Sequence, residues 1–294
     1  MTAGSPGTHP IRTVFVVAKI GPPEGVRIAQ ELARWLEQRE IAVHFEEETA
    51  AALGRDDGVS RDHLPPEIDL AIVAGGDGTL LSMARAAAPL QIPLLGINFG
   101  SLGFLTELQP TEALAGVEAV IEGRFSIEER QTLRVRYAKR GQSVQEYALL
   151  NDAVITKSAL ARMINIRVRV DEEEVATYTS DGLIVATPTG STAYNLSAGG
   201  PILDPRMGAF VISPICPHTM TYRPLVVPDS VTIEVSLLSG DEEVFLTLDG
   251  QIGYPLLADD RLTIDHHPSP VRLVRITNLG FFEVLRRKLR WGER

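Results

Sequence analysis

The stretch Leu70-Ala71-Ile72-Val73-Ala74-Gly75-Gly76-Asp77-Gly78-Thr79 decides the fold class. Its five leading residues are all apolar, which suits a strand buried on both faces, the kind found inside parallel sheets. Three glycines then break the run, and a helix is expected over residues 79–88. A strand feeding a helix through a glycine turn is the junction at which α/β sheets bind ligands, outside the carboxyl ends of their strands. The glycines allow close approach of the backbone and positive φ. The helix start adds N–H donors and a partial positive charge. Together these make a cradle for phosphate. Asp77 is at odds with that cradle unless it does chemistry. It can hold Mg²⁺ or accept a proton from an attacking hydroxyl. A plain turn with Asp77 as helix N-cap is the alternative.

Outward from this junction, strand and helix patterns alternate through the first 125 residues. Strands are expected at residues 13–18, 41–45, 68–74 and 93–98. One helix opens at Gly21-Pro22-Pro23 and carries Val26, Ala29, Leu32, Ala33 and Leu36 at helical spacing; another covers residues 111–123. This order implies a Rossmann-like parallel sheet with helices on both faces. After Phe125 apolar residues alternate with polar ones: Leu133, Val135 and Tyr137; Ile164, Ile166, Val168 and Val170; Val231, Ile233 and Val235; Val244, Leu246 and Leu248. Turn residues recur between these runs, as at Ser239-Gly240-Asp241. The pattern predicts an antiparallel β-sandwich with one helical interruption near residues 191–198. Residues 281–291 read as an amphipathic helix with Phe282, Leu285 and Leu289 on one face and Arg286, Arg287 and Lys288 in solvent. The expected organisation is an α/β domain over residues 1–124, joined by a returning tail at 273–294, and a β domain over 125–272.

The chain has 294 residues, 44% hydrophobic and 22% charged, values of an ordinary globular protein. Its net charge of −10 disfavours nucleic acid, whose backbone calls for a basic face. Residues 1–10 lack a basic segment followed by an apolar one, and no apolar run reaches membrane-spanning length. A cytoplasmic protein with no membrane partner is expected. The single cysteine, Cys216, excludes an intrachain disulfide and reads as a small buried apolar residue. The P-loop, the dinucleotide G-x-G-x-x-G after the first strand, the G-x-S-x-G elbow, H-E-x-x-H and C-x-x-C are all missing.

A second cluster lies in the β half. Residues 187–201 read Thr-Pro-Thr-Gly-Ser-Thr-Ala-Tyr-Asn-Leu-Ser-Ala-Gly-Gly-Pro, preceded by Ser180-Asp181-Gly182. So many hydroxyl donors and glycines suit a nucleoside, whose ribose and base edge need several partners; a long polar surface loop is the alternative. Asn151-Asp152 interrupts an otherwise apolar stretch, which is costly unless hydrogen-bonded. It can bind ligand hydroxyls, or form a bulge or turn.

These motifs, in this order, resemble those of bacterial NAD kinases, the ATP-NAD kinase family, which phosphorylate NAD to NADP. The resemblance rests on Gly75-Gly76-Asp77-Gly78-Thr79, on Gly96-Ile97-Asn98 and Leu102-Gly103-Phe104-Leu105-Thr106, and on Asn151-Asp152. It continues through Ser180-Asp181-Gly182, residues 187–201, Pro217-His218-Thr219 and Asp249-Gly250-Gln251. The first loop is shared with lipid kinases and phosphofructokinases; residues 187–201 are far more specific. The resemblance implies ATP-dependent transfer of a phosphoryl group to the adenosine 2′-hydroxyl of NAD. Asp77 is then the base, within a loop formed by Gly75, Gly76 and Gly78. Asn151 and Asp152 hold the adenine and ribose side. Thr192, Ala193, Tyr194, Asn195, Leu196 and Ser197 belong to the dinucleotide pocket. Asp181 lies on the nicotinamide side, and Gln251, Arg162 and Thr179 are further ligand-facing positions. Thr179 and Phe99 replace residues that are often basic or polar in the family. Mg²⁺ is expected to come with ATP, with Asp77 and Asp152 as candidate carboxylates and no dedicated metal cage. A homodimer or homotetramer is implied. A non-enzymatic nucleotide sensor on the same scaffold remains the other class of reading, and Asp77 argues against it.

Overall fold

The computed structural model describes residues 10–21, 23–100, 103–138, 143–159, 162–238, 243–258, 260–277 and 279–291. The turn expected at Ser239-Gly240-Asp241 lies outside the described residues, as do Pro22 and Leu102. Two compact units form, Met1–Glu129 with Val271–Arg294, and Arg130–Pro270.

The first unit is built on β1 (Thr13–Ala18), α1 (Pro23–Glu37), β2 (Ala42–Phe45), α2 (Glu47–Ala52), β3 (Leu70–Ala74), α3 (Asp77–Ala87), β4 (Leu94–Ile97) and α4 (Ala113–Ile121). Its strands run parallel in the order β2-β1-β3-β4. Every residue of β3 is buried, as its unbroken apolar run requires. Alternation sends Val14, Val16 and Ala18 into a cluster with Ile28, Leu32 and Leu36 of α1 and Val117 and Val120 of α4. The other face takes α3, which packs on β3 and β4 through Leu80, Met83 and Ala84. Sequence periodicity misses α2, because six residues are too few to show a period. Its start is fixed instead by Glu46, whose carboxylate accepts from Thr49 N and Thr49 Oγ1.

The second unit contains β5 (Ser126–Ala138, entered from the first unit), β6 (Gln145–Leu149), β7 (Asp152–Lys157), β8 (Ile164–Val170), β9 (Glu173–Ser180), β10 (Gly182–Ala186), α5 (Tyr194–Ser197), β11 (Ala209–Ile215), β12 (Leu225–Pro228), β13 (Ile233–Leu237), β14 (Val244–Leu248), β15 (Ile252–Leu256) and β16 (Arg261–Arg275, which ends in the first unit). One antiparallel sheet has the order β12-β11-β10-β7-β14-β15. A second layer pairs β9-β8-β13-β16, with β5 on β16 and β6 on β5. The inward residues of both layers form one core, including Leu133, Val135, Ile155, Ile166, Val185, Phe210, Val235 and Leu246. This is a β-sandwich, and the alternation that predicts it survives in burial: along β8 inward Ile164, Ile166 and Val168 are buried while Asn165 and Arg167 are exposed.

The chain closes with α6 (Phe281–Leu289), in the first unit. Its packed face differs from the expected one. Phe282 is 58% exposed, whereas Leu285 is buried, Phe281 meets Phe104 with ring centroids 6.3 Å apart, and Lys288 Nζ lies 5.8 Å from the Phe104 ring centre. Of the expected three, Leu285 is buried and Leu289 half-buried, and only Phe282 turns to solvent; Phe281 and Lys288, on the Phe104 ring, join the packed face. Cys216 also departs from expectation. It is exposed, at φ 44°, at the end of β11 and just before Pro217. The strand stops there, so the side chain leaves the core.

Candidate active site

In the first unit the glycine turn caps α3. Gly76 is the N-cap residue and Asp77 the first helical residue, and the N-cap residue itself, a glycine, makes no side-chain cap. The N-cap role weighed for Asp77 is therefore not the one it takes. Its carboxylate points to the 103–107 loop instead: Phe104 N donates to Oδ2 at 3.1 Å and Leu105 N to Oδ1 at 3.3 Å. One N–H on each oxygen fixes the plane of the carboxylate and leaves further lone pairs on both. Gly103 is required by this approach, since a Cβ there would overlap Asp77 Oδ1. The expected positive φ of the loop glycines is not found: Gly75, Gly76 and Gly78 all lie outside that region. Their value is spatial. A Cβ on Gly75 would come within 2.5 Å of Thr79 Oγ1, while Gly76 and Gly78 keep the approach to the helix N-terminus open. Anion binding needs that opening.

In the second unit Asn151 forms the corner between β6 and β7, and Asp152 begins β7. What shapes this corner is Asp249, 5% exposed, whose carboxylate accepts from three successive backbone N–H groups: Leu150 at 3.0 Å, Asn151 at 2.7 Å and Asp152 at 3.1 Å. Asp249 and Gly250 both take positive φ, 49° and 66°, in the turn joining β14 to β15. The carbonyl of Asn151 accepts from Thr187 N at 2.9 Å, and Thr187 Oγ1 donates to Leu150 O at 2.6 Å. Gly190 presses directly on this corner, and a Cβ there would overlap the Asn151 carbonyl oxygen. The hydroxyl-rich run is thus packed on the Asn151 corner by its own glycine.

A cavity of about 340 Å³ opens beside it, lined by Asn151, Asp152, Val154, Thr156, Ala193, Tyr194, Thr247, Asp249 and Gly250. Its size and its mix of apolar walls and a few polar groups suit part of a nucleotide. Four of the residues implied by resemblance meet here: Asn151, Asp152, Ala193 and Tyr194. Asp152 is 4% exposed, and its carboxyl is pushed up to about 7, first by burial and then by the neighbouring Asp249 charge. Near neutrality it can donate as well as accept a hydrogen bond.

The other implied residues divide. Thr192 lies beside the cavity in sequence and gives its hydroxyl to Thr189 O at 3.2 Å. Leu196 is half-buried and Ser197 exposed, both on α5. The Asn195 side chain braces the fold. Its amide, fully buried, donates to Ser191 O and Pro201 O and accepts from Ser213 Oγ, so it is turned into the protein. Thr179 Oγ1 donates to Asn165 Oδ1 at 2.7 Å, and Asp181 pairs with Lys157 at 3.5 Å. Arg162 and Gln251 are exposed and outside the cavity lining. The sequence reading gave no role to Asp249. Its signal was there in the Asp-Gly pair closing an alternating strand, a turn in which the Asp carboxylate is free to reach neighbouring N–H groups.

The chain is similar over nearly its whole length to known proteins. Residues 14–125 match the ATP-NAD kinase N-terminal domain and residues 150–276 the ATP-NAD kinase C-terminal domain. The chain is 44% identical over 284 residues to the NAD kinase of Geotalea daltonii, covering 97% of this chain and 100% of that one. The chain belongs to the ATP-NAD kinase family. The NAD kinase of Koribacter versatilis is 45% identical over 285 residues, again across 97% of this chain and 100% of the relative. Among solved structures, yeast NADH kinase complexed with NADH matches with a TM-score of 0.88 at 25% identity, covering 98% of this chain and 89% of that one. An NAD kinase from Archaeoglobus fulgidus in complex with ATP matches at 0.71 and 27% identity, covering 95% and 98%. The first family domain ends at residue 125, where the texture of the sequence changes from alternating helix and strand to strand alone.

Proposed function

We propose that this protein transfers the γ-phosphoryl group of ATP to the adenosine 2′-hydroxyl of NAD, giving NADP and ADP. Membership of the family supports the activity, and the observation that carries the assignment of chemistry is Asp77, a carboxylate held by two backbone N–H groups in the first turn of α3, after the glycine turn. The new bond forms between the 2′-oxygen and the γ-phosphorus as the bond from that phosphorus to the β–γ bridging oxygen breaks. The hydroxyl proton passes to Asp77. Phosphoryl transfer has a loose transition state, so Asp77 orients the hydroxyl first and takes its proton late. The unit formed by residues 1–129 and 271–294 acts as the nucleotide-phosphate unit and residues 130–270 as the NAD unit, where Asn151, Asp152, Ala193 and Tyr194 hold the nucleoside. Thr192, Ser197, Asp181, Arg162, Thr179 and Gln251 stay in this reading as contacts toward the rest of the dinucleotide and its phosphates. Mg²⁺ enters as part of the nucleotide substrate, keeping waters and phosphate oxygens as most of its ligands. The enzyme works in the cytoplasm as a homodimer or homotetramer. No helix among the described residues is long and apolar enough to cross a membrane.

The test is labelled ATP offered with NAD, NADH or diacylglycerol to the native chain and to Asp77→Asn. Label should appear at the 2′ position of the dinucleotide and not on the lipid. Asp77→Asn should lower kcat by about 10²–10⁴-fold, the usual reach of general-base catalysis, which is roughly 3–5 kcal/mol. NAD affinity should change little. Normal turnover in the Asn variant removes Asp77 from the chemistry; nucleotide binding without turnover in the native chain makes the protein a sensor.

A further inference from the structure

The loop that holds Asp77 is itself held from the far end of the chain. Glu107, 7% exposed, spends one carboxylate oxygen on Ile276 N at 2.9 Å, Thr277 N at 2.6 Å and Thr277 Oγ1 at 2.6 Å. Its other oxygen takes Arg275 Nη1 at 3.0 Å. Arg275 also donates through Nε to Glu128 at 2.6 Å, and Nη2 reaches Phe104 O at 3.5 Å. That carbonyl belongs to the same peptide group whose N–H, on Leu105, donates to Asp77 Oδ1. A cation on the oxygen of a peptide polarises its N–H and fixes its plane. The Phe104 ring meanwhile meets both the Phe281 ring and the Lys288 ammonium of α6. A short loop thus has its backbone donors on Asp77 and its carbonyl, ring and acidic side chain on residues 275–288.

We propose that the C-terminal tail is a positioning device for phosphoryl transfer: Arg275, Ile276-Thr277 and α6 grip the 103–107 loop, and the loop sets the orientation of the Asp77 carboxylate. Glu107 is buried, Arg275 half-buried and Glu128 partly exposed. The planar guanidinium fork meets both carboxylates at fixed directions, which defines geometry more sharply than a point charge does. The tail residues act through Phe104 and Leu105. The inference rests on Asp77 as the proton acceptor.

The experiment is a double-mutant cycle. Arg275→Lys keeps a positive charge for Glu107 but lacks the fork that reaches Glu128 and Phe104 O together. Phe281→Ala loosens the ring packing and leaves the ion pairs intact. Each is made alone and with Asp77→Asn, and kcat is measured at saturating substrates beside independent NAD and ATP Kd values. The expected result is a kcat loss of about tenfold for each tail variant, short of the roughly hundredfold that a 1 Å misplacement of a catalytic group can cost, with both Kd values unchanged. In the Asp77→Asn background the same substitutions should cost nothing further, because the group they position has lost its function. An unchanged kcat in the folded tail variants overturns the proposal. So does an equal loss in both backgrounds, which means general damage. If Arg275→Lys does not fold, Phe281→Ala decides by the same criteria. Normal turnover of Asp77→Asn alone overturns the reading of Asp77 and this proposal with it, and the single variant separates that case from failure of the tail alone.

Discussion

Asp152→Asn should remove a pH dependence from the stability of this protein. The Asp152 carboxyl is 4% exposed and lies at about 7 against an ordinary 3.8, raised by burial and then by Asp249. Because the folded value is the higher one, the folded state keeps a proton that the unfolded chain has already released. The group's contribution to stability is complete below about pH 3.8 and is lost as the pH rises through about 7. Between pH 5 and pH 8 the loss spans about two pH units at 1.36 kcal/mol each, roughly 3 kcal/mol in all. Asparagine keeps the shape and has no proton to lose. Urea unfolding of native protein and variant at both pH values measures the effect, with the m-value checked for constancy. The native protein should lose roughly 3 kcal/mol more than the variant on going from pH 5 to pH 8. Equal losses in the two proteins would show that Asp152 does not carry a raised pKa in the fold, and would refute the reasoning.

Two further outcomes follow from the same corner. Asp249→Asn keeps one acceptor oxygen but sets an amide N–H₂ against one of the three backbone N–H groups, at a cost of about 1–3 kcal/mol. Loss of its charge should move the Asp152 titration to lower pH, visible by carbon NMR of the labelled carboxyl, and the loosened corner should weaken NAD binding. Gly190→Ala forces a Cβ into the Asn151 carbonyl oxygen, and should destabilise the protein by about 1–3 kcal/mol. Calorimetry should show weaker NAD binding, whereas kcat at saturation should hold; unchanged affinity would mean that the corner does not form the nucleoside site.

The elements of this protein are legible in its sequence where local chemistry decides them. The unbroken apolar run of β3 announces a strand covered on both sides, and the alternation along β8 announces one with a wet face. The glycine turn before α3 and the hydroxyl-rich run after β10 stand out because buried structure has no use for their composition. Short elements are illegible for a physical reason: α2 spans less than two turns, and what fixes it is a cap from Glu46 and a bond from Ala18 N to Thr49 Oγ1, 31 residues away. The same reason separates the two halves of each site. That Asp77 matters can be argued from a carboxylate in a phosphate loop. That its plane is set by Phe104 and Leu105, and theirs by Arg275, depends on contacts 27 to 171 residues apart, which no local pattern encodes. Asn195 reads as one polar residue among many in a binding run, and only the position of Ser213 and Pro201 turns its amide inward. Asp249 reads as a turn residue, and becomes the organiser of the Asn151 corner because β14 pairs with β7 and brings the turn beside it. Residue type and spacing determined the strands, the helices and the kind of chemistry; which carboxylate faces ligand and which holds the backbone was decided by strand register, because a hydrogen bond has a reach of about 3 Å and is indifferent to distance along the chain.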